Sequence, residues 1–275
     1  MKQRTASFLW FVGGGSVIAL VLLVLLTRGQ WAGWVADVRK PELPQAVNLN
    51  EVITAAGTNV SENGNTNVNE GFENSNTQVN TNEPEQIQIP AEFNLDIPFT
   101  SQAPFGNWDA AHEEYCEEAS LLMANRFLQG KDITGPADAD AAMNAIAAWE
   151  VERFGYFEST TAEETASVAA EYLGLEAVVL PYSYTAAQEA LVNGRVVIIP
   201  AAGRELGNPN FTAPGPIYHM LVIKGWTEEY IITNDPGTRK GENYVYDPDV
   251  LFEAVGDYNH NDPSNGEKLM IVVGK

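Results

Sequence analysis

A long polar stretch limits what this chain can fold into. Residues 47–90 consist mainly of Asn, Thr, Glu and Gln, and "TNVSENGNTNVNEGFENSNTQVNTNE" has almost no large apolar side chain apart from Phe72. Such a segment cannot bury enough apolar surface to offset the entropy lost on ordering. The composition therefore predicts a disordered Asn/Thr-rich linker, and it confines the globular domain to residues 91–275.

An uncharged apolar segment precedes this linker. Residues 8–26 carry no charge over 19 positions. A helix of about 1.5 Å per residue would span about 28 Å there, close to the hydrocarbon thickness of a bilayer. Trp31 and Trp34 follow the segment like an interfacial belt. We therefore predict a short tail over residues 1–7, a transmembrane anchor over 8–26, and a juxtamembrane and linker region over 27–90.

The residues on either side of the apolar segment indicate where the globular domain is located. A polar linker and an acidic domain follow the anchor, so we expect a membrane-anchored protein with its globular domain outside the cytoplasm. The alternative is a signal peptide, since Lys2 and Arg4 precede the apolar segment, and the protein would then be secreted after cleavage. No clean small-x-small cleavage site follows the segment, which favours the anchor.

Charge and motif content exclude several classes of function. The formal net charge is −22 and the sequence pI is near 4.3, whereas nucleic-acid binding requires cations that displace phosphate counterions. No phosphate-binding glycine motif and no HExxH zinc motif occurs in the sequence. We therefore predict no nucleic-acid partner, no cofactor and no metal.

Hydrophobic periodicity in the globular domain changes from helical to strand-like along the chain. Four helices are predicted, at residues 113–128, 138–149, 161–173 and 184–192. Three β-branched strands follow, at residues 195–201, 219–226 and 230–237. In the third helix, Thr161 and Glu164 have the spacing of a capping box. Helices followed by strands indicate an α+β domain with an antiparallel sheet.

The single cysteine, Cys116, stands at the start of the first predicted helix, among Glu113, Glu114, Glu117 and Glu118. Unpaired backbone N–H groups at a helix start favour a thiolate, whereas neighbouring carboxylates raise the pKa of a thiol. A nucleophilic Cys116 would therefore need a strong local cation, such as an imidazolium. The alternative is a buried, inert cysteine that packs as a small hydrophobic residue.

His219 is the best placed of the three histidines to act on this thiol, because it starts a predicted strand. His112 lies four residues before the cysteine, and His260 lies in a polar loop. If strands 219–226 and 230–237 form a hairpin through "TEE", Asp235 lies beside His219 and can orient its ring. Asn234 is the reserve for this orienting role.

Stabilisation of an oxyanion needs hydrogen-bond donors near the nucleophile. The backbone N–H of Cys116 and the side-chain amide of Gln102 are the candidates that the sequence offers.

These segments resemble the papain-like cysteine peptidases. "IPFTSQAPFGNWDAAHEEYCEEASLLMA", "YHMLVIKGW" and "ITNDPG" together are most similar to the bacteriocin-processing, double-glycine-leader peptidase-like family. That pattern has a Gln, a Cys that opens a helix, a strand-borne His and an Asp before Pro, which match Gln102, Cys116, His219 and Asp235. The resemblance covers roughly residues 93–275. It implies a papain-like fold, in which a helical subdomain with the Cys helix packs on an antiparallel sheet.

Two features depart from the family pattern. Glu117 stands where the family commonly has Gly, and the chain lacks the ATP-binding motif of the transporters that carry leader peptidases. The double-glycine substrate is therefore not transferred. The resemblance implies a free-standing cysteine peptidase or amidase that acts on a peptide or protein, and the predicted anchor would tether it to a membrane. The alternatives are an inactive peptide-binding module of the same fold, and an acyltransferase or transpeptidase that uses the same residues.

Overall fold

The structure is a computed structural model that describes residues 41–61, 88–260 and 262–275. The predicted anchor over residues 8–26 lies outside these ranges. None of the helices within them is long and apolar enough to span a bilayer. Residues Pro44–Lys275 group into one compact unit, and the other unit, Met1–Leu43, is almost entirely outside the description.

An antiparallel sheet forms the centre of the described domain. The strands are β1 (Phe93–Asn94), β2 (Glu176–Pro181), β3 (Val196–Ala202), β4 (Tyr218–Trp226), β5 (Ile231–Asn234), β6 (Tyr244–Tyr246) and β7 (Leu269–Gly274). Their order is β2-β7-β3-β4-β5-β6, with β1 paired to the end of β4. Gly225 makes that last pairing possible, because a Cβ there would lie 2.2 Å from the Phe93 carbonyl oxygen.

Helices cover this sheet. They are α1 (Leu49–Ser61), α2 (Cys116–Gln129), α3 (Pro136–Phe154), α4 (Ala162–Ser167), which continues as a π-helix (Val168–Tyr172), α5 (Tyr184–Val192) and α6 (Pro248–Ala254). A short 3₁₀ turn spans Pro263–Asn265. The predicted combination of helices with an antiparallel sheet is confirmed, and the Thr161–Glu164 capping box forms as the sequence indicates.

Helix α2 lies between two apolar clusters, which explains why it is buried on nearly all sides. Leu121 and Met123 pack with the sheet in the main core, whereas Ala119 and Leu122 pack in a second cluster with residues of α3. The Ser120 hydroxyl also donates a hydrogen bond of 3.3 Å to the Met220 carbonyl of β4. The N-terminal half of α2 is thereby held against the strand that carries His219.

The start of the globular domain lies earlier than the predicted Ala91. Helix α1 belongs to the segment predicted as disordered linker, and Val47 forms a bridge with Leu95. The physical reason is that Val52 is buried in the main core, while Asn48 and Glu51 exchange side-chain to backbone hydrogen bonds at the helix start. The prediction of a disordered linker is therefore corrected for residues 47–61.

Candidate active site

Cys116 is the first residue of α2, and its side chain is almost completely buried. The residue is 5% exposed, and its Sγ donates a hydrogen bond of 2.9 Å to Oε2 of Glu117. Burial raises the pKa of the Cys116 thiol well above its ordinary value, and the neighbouring Glu117 carboxyl raises it further. In this arrangement the thiol proton is held by a carboxyl group, as the crowding by glutamates led us to expect.

His219 and Asp235 form a buried pair at one end of the sheet. Asn234 of β5 lies opposite Val222 of β4, which brings the residue after β5 back to the start of β4. The distance between His219 Nε2 and Asp235 Oδ1 is 2.8 Å, and both side chains are buried. The structure therefore places Asp235 beside His219, as the predicted hairpin requires.

The Asp235 carboxylate is surrounded by donors. Its Oδ1 also accepts from the Gly237 N–H at 2.9 Å, and its Oδ2 accepts from Asn208 at 2.9 Å and from the Tyr246 hydroxyl at 2.6 Å. Burial by itself would raise the pKa of Asp235, but His219 and these hydrogen bonds outweigh it and hold the pKa below the ordinary value. Asp235 is thus ionised near neutral pH and accepts the Nε2 proton of His219.

This bond leaves Nδ1 as the free nitrogen of the His219 ring and fixes the ring orientation. Phe211 packs edge-on against the imidazole, with 5.3 Å between the ring centroids. Gly237 packs so closely that an added Cβ would lie 2.8 Å from Cε1 of His219. The His219 ring is therefore held in one orientation by an aromatic edge, a glycine and a carboxylate, with Nδ1 left free.

Cys116 and His219 line the same open cavity of about 900 Å³. Gln102, Trp108 and Phe211 also line this cavity. Residues separated by a hundred positions in the sequence are thus brought together where α2 packs on β4. The structure places Cys116, His219 and Gln102 at one cavity, with Asp235 directly behind His219.

The side chain of Gln102 faces the backbone that precedes α2. Its Nε2 donates to the carbonyl oxygens of His112 and Glu113, both at 2.9 Å, which uses both amide protons. Its backbone N–H donates to the Pro236 carbonyl, next to Asp235. Gln102 therefore connects the segment before Cys116 with the loop after β5.

The other two histidines have different environments. Both ring nitrogens of His112 face carboxylates, with Nδ1 at 2.7 Å from Asp109 and Nε2 at 2.8 Å from Asp140. Burial lowers the pKa of His112, but these two hydrogen bonds outweigh the effect and raise it. His112 therefore ties its loop to α3. His260 lines the same cavity as Cys116 and packs against the ring of Tyr258.

Sequence reasoning missed Asn208 and Tyr246, which complete the shell around Asp235. Asn208 lies in an irregular Gly/Pro-rich loop and Tyr246 in a three-residue strand, and no periodic signal marks either. Asn234 donates instead to the Ile97 carbonyl at 2.9 Å, so it joins β5 to the segment after β1. Among the residues that the structure describes, no cluster of His, Cys, Asp and Glu is arranged to hold a metal ion.

The sequence model of the Peptidase_C39 like family matches residues 94–262, which is more than half of the chain. Among solved structures, a candidate C39-like peptidase from Bacillus anthracis aligns with 18% identity and a TM-score of 0.45, over 66% of this chain and 95% of that one. A comparison with curated proteins gave no match.

Proposed function

The chain belongs to the Peptidase_C39 like family, and from this premise we propose that it is a cysteine peptidase or amidase that hydrolyses peptide bonds. The observation that carries the proposal is that Cys116 shares a cavity with His219, and that Nε2 of His219 is hydrogen-bonded to the ionised carboxylate of Asp235. A nucleophile, a base and a group that orients the base are the parts that covalent acyl transfer requires.

The proposed reaction begins with proton transfer from Cys116 Sγ to Nδ1 of His219. The thiolate attacks the substrate carbonyl, and Asp235 stabilises the imidazolium that has formed. His219 then gives the proton to the leaving amine, and water hydrolyses the thioester with His219 as base.

Two groups are available to stabilise the oxyanion. The backbone N–H of Cys116 opens α2, where N–H groups have no partner within the helix. The side-chain amide of Gln102 is the second candidate, and in this role it exchanges one of its two bonds to backbone carbonyls for a bond to the substrate. Since α2 is held between two apolar clusters, the backbone N–H of Cys116 is fixed before substrate arrives.

The lining of the cavity supports a peptide as substrate. Trp108, Phe211 and Ile217 supply apolar surface, with Ile217 57% exposed. Glu113 and Glu114 contribute to the lining, as do Arg239 and Lys240. An open cavity with apolar walls and charges of both signs fits an extended chain with mixed side chains better than a small apolar ligand.

The decisive test is the Cys116→Ala variant assayed on a pool of quenched fluorogenic peptides. We expect wild-type protein to cleave members of the pool and the variant to lose turnover, because no other described thiol can form the acyl intermediate. Circular dichroism must show the same fold for both proteins. A folded Cys116→Ala protein that still cleaves the peptides refutes the mechanism.

We also propose that residues 8–26 anchor the protein in a membrane, with the catalytic domain outside the cytoplasm. The support is the uncharged apolar segment and the polar residues that follow it. Extraction of membranes with alkaline carbonate tests the anchor, and protease treatment of intact cells tests the location. Release of the full-length protein by carbonate would contradict the anchor.

A second candidate function is a peptide-binding module with an inactive thiol. The hydrogen bond from Cys116 to Glu117 favours it, because this bond stabilises the protonated thiol. The module would bind peptides from the same pool with equal affinity in wild-type and Cys116→Ala protein and would cleave none of them. Binding without cleavage by the wild-type protein would select this candidate.

A further inference from the structure

Glu117 occupies an unusual position for a carboxyl group. It lies in the first turn of α2, it is fully buried, and its Oε2 accepts the thiol hydrogen of Cys116 at 2.9 Å. Its other oxygen, Oε1, has no hydrogen-bond donor within the described part of the chain. None of the ion pairs among the described residues includes Glu117. A buried carboxylate without a cation is costly, so the neutral form is favoured.

The groups around Glu117 reinforce this preference for the neutral form. Glu114 and Glu118 come from its own segment, Glu150 comes from α3, and Tyr218 comes from β4. None of these groups is a cation. Burial raises the pKa of Glu117 to about 8, and the nearby carboxyls of Glu150 and Glu114 act in the same direction. Near neutral pH the carboxyl of Glu117 thus carries a proton that it can donate.

We propose that Glu117 is a positioning residue that sets the pH range in which Cys116 can react. As a neutral acid, Glu117 donates its Oε2 hydrogen to the sulfur and stabilises the thiolate. As a carboxylate, it accepts the thiol hydrogen instead and keeps the sulfur protonated. The proposal deepens the proposed function and rests on it only for turnover, since the state of the thiol can be measured without a substrate.

The proton balance differs between the two states. With Glu117 neutral, the Sγ–H bond breaks, the proton moves to Nδ1 of His219, and the remaining thiolate lies between an imidazolium and a hydrogen-bond donor. With Glu117 ionised, the same transfer would leave a thiolate and a carboxylate side by side in a buried site. The ionised state therefore resists formation of the nucleophile, and activity falls as the pH rises through the pKa of Glu117.

Alkylation of the thiol by iodoacetamide, followed by mass spectrometry across pH, tests this proposal in the full chain. Glu117→Gln keeps the shape and a donor but cannot ionise. Near pH ~9 we expect the variant to be labelled about tenfold faster than wild type, since a shift of about one unit in thiol pKa changes the thiolate fraction tenfold. Near pH ~6, where Glu117 is neutral, we expect the two rates to agree within about twofold.

Glu118→Gln is the matched control. Glu118 is the next residue, is equally buried, and makes no hydrogen bond with the sulfur. Glu118→Gln should therefore change the labelling profile by less than half of the change that Glu117→Gln causes. A structural role for Glu117 would alter labelling at all pH values alike. Equal shifts from Glu117→Gln and Glu118→Gln would overturn the proposal.

Two further measurements complete the test. If Glu117→Gln does not fold, the wild-type protein still decides, because labelling that follows a single free-thiol pKa of ~8.5 excludes control by Glu117. With a peptide substrate, wild-type turnover should decline above a pH of about 8, whereas Glu117→Gln should retain it. Labelling that behaves as expected without any peptide cleavage would support the role of Glu117 and refute the proposed function.

Discussion

Replacement of Tyr246 by Phe removes one defined part of the shell around Asp235. The Tyr246 hydroxyl donates a hydrogen bond of 2.6 Å to Oδ2 of Asp235, and the tyrosine is 3% exposed. Hydrogen bonds to a buried charged group contribute about 1.5–3 kcal/mol to stability. The phenylalanine ring fills the same space, so no cavity adds to this value. We expect Tyr246→Phe to lower the free energy of unfolding at neutral pH by about 1.5–3 kcal/mol.

The pH dependence of this loss identifies its cause. Because the folded state depresses the pKa of Asp235, its contribution to stability is present above the unfolded pKa of about 3.9 and disappears as the pH falls through the lower, folded value. Urea unfolding of wild type and variant should therefore differ at pH ~7, and the difference should shrink as the pH falls below about 3.9 toward the folded pKa. Catalytic turnover near neutral pH should change little, since the three remaining donors keep Asp235 ionised.

Tyr244→Phe is the control for this experiment. Tyr244 lies on the same strand and packs against the ring of Tyr246, with centroids 4.8 Å apart, but its hydroxyl is not part of the Asp235 shell. The Tyr244→Phe variant should have nearly the same free energy of unfolding as wild type at both pH values. A loss in Tyr246→Phe that does not shrink at any pH below the unfolded pKa of about 3.9, or that Tyr244→Phe reproduces, would refute the assignment of the energy to the Asp235 carboxylate.

Two other buried ionisable groups give predictions about stability. Burial raises the pKa of Glu150 to about 7, so this group stabilises the fold below its unfolded pKa and the effect is lost as the pH rises through 7. Glu150→Gln should consequently be more stable than wild type in urea unfolding at pH ~8, with little difference at pH ~4. Burial lowers the pKa of Lys224 to about 8, so its charged form opposes folding below that pH. Lys224→Met should raise the urea midpoint at pH ~6 by more than at pH ~10, and an equal gain at both would refute the charge as the cause.

The parts of the site that depend on local pairing could be predicted from the sequence. The strands around His219 and Asp235 are consecutive and joined by a short turn, so their antiparallel pairing could be predicted. The bulge between Ile223 and Gly225, which shifts their register by one residue, could not. The contacts of Glu150 with the first turn of α2 could not be predicted, because they depend on how two helices pack rather than on either helix alone. Helix α1 and its capping could not be predicted either. The segment has the Asn-rich composition of a linker, and the burial of Val52 requires the sheet to be present.

The two halves of the site act on the thiol in opposite directions. On the strand side, four hydrogen bonds keep Asp235 ionised, so a carboxylate is in place for the proton transfer that the proposed reaction requires. On the helix side, burial holds the proton on the sulfur, and Glu117 does so as well when it is ionised. A buried thiolate–imidazolium pair is stable only if its neighbours do not add a second negative charge. The proposed role of Glu117 follows from this balance: only its neutral form leaves the site with a single negative charge when Cys116 gives up its proton.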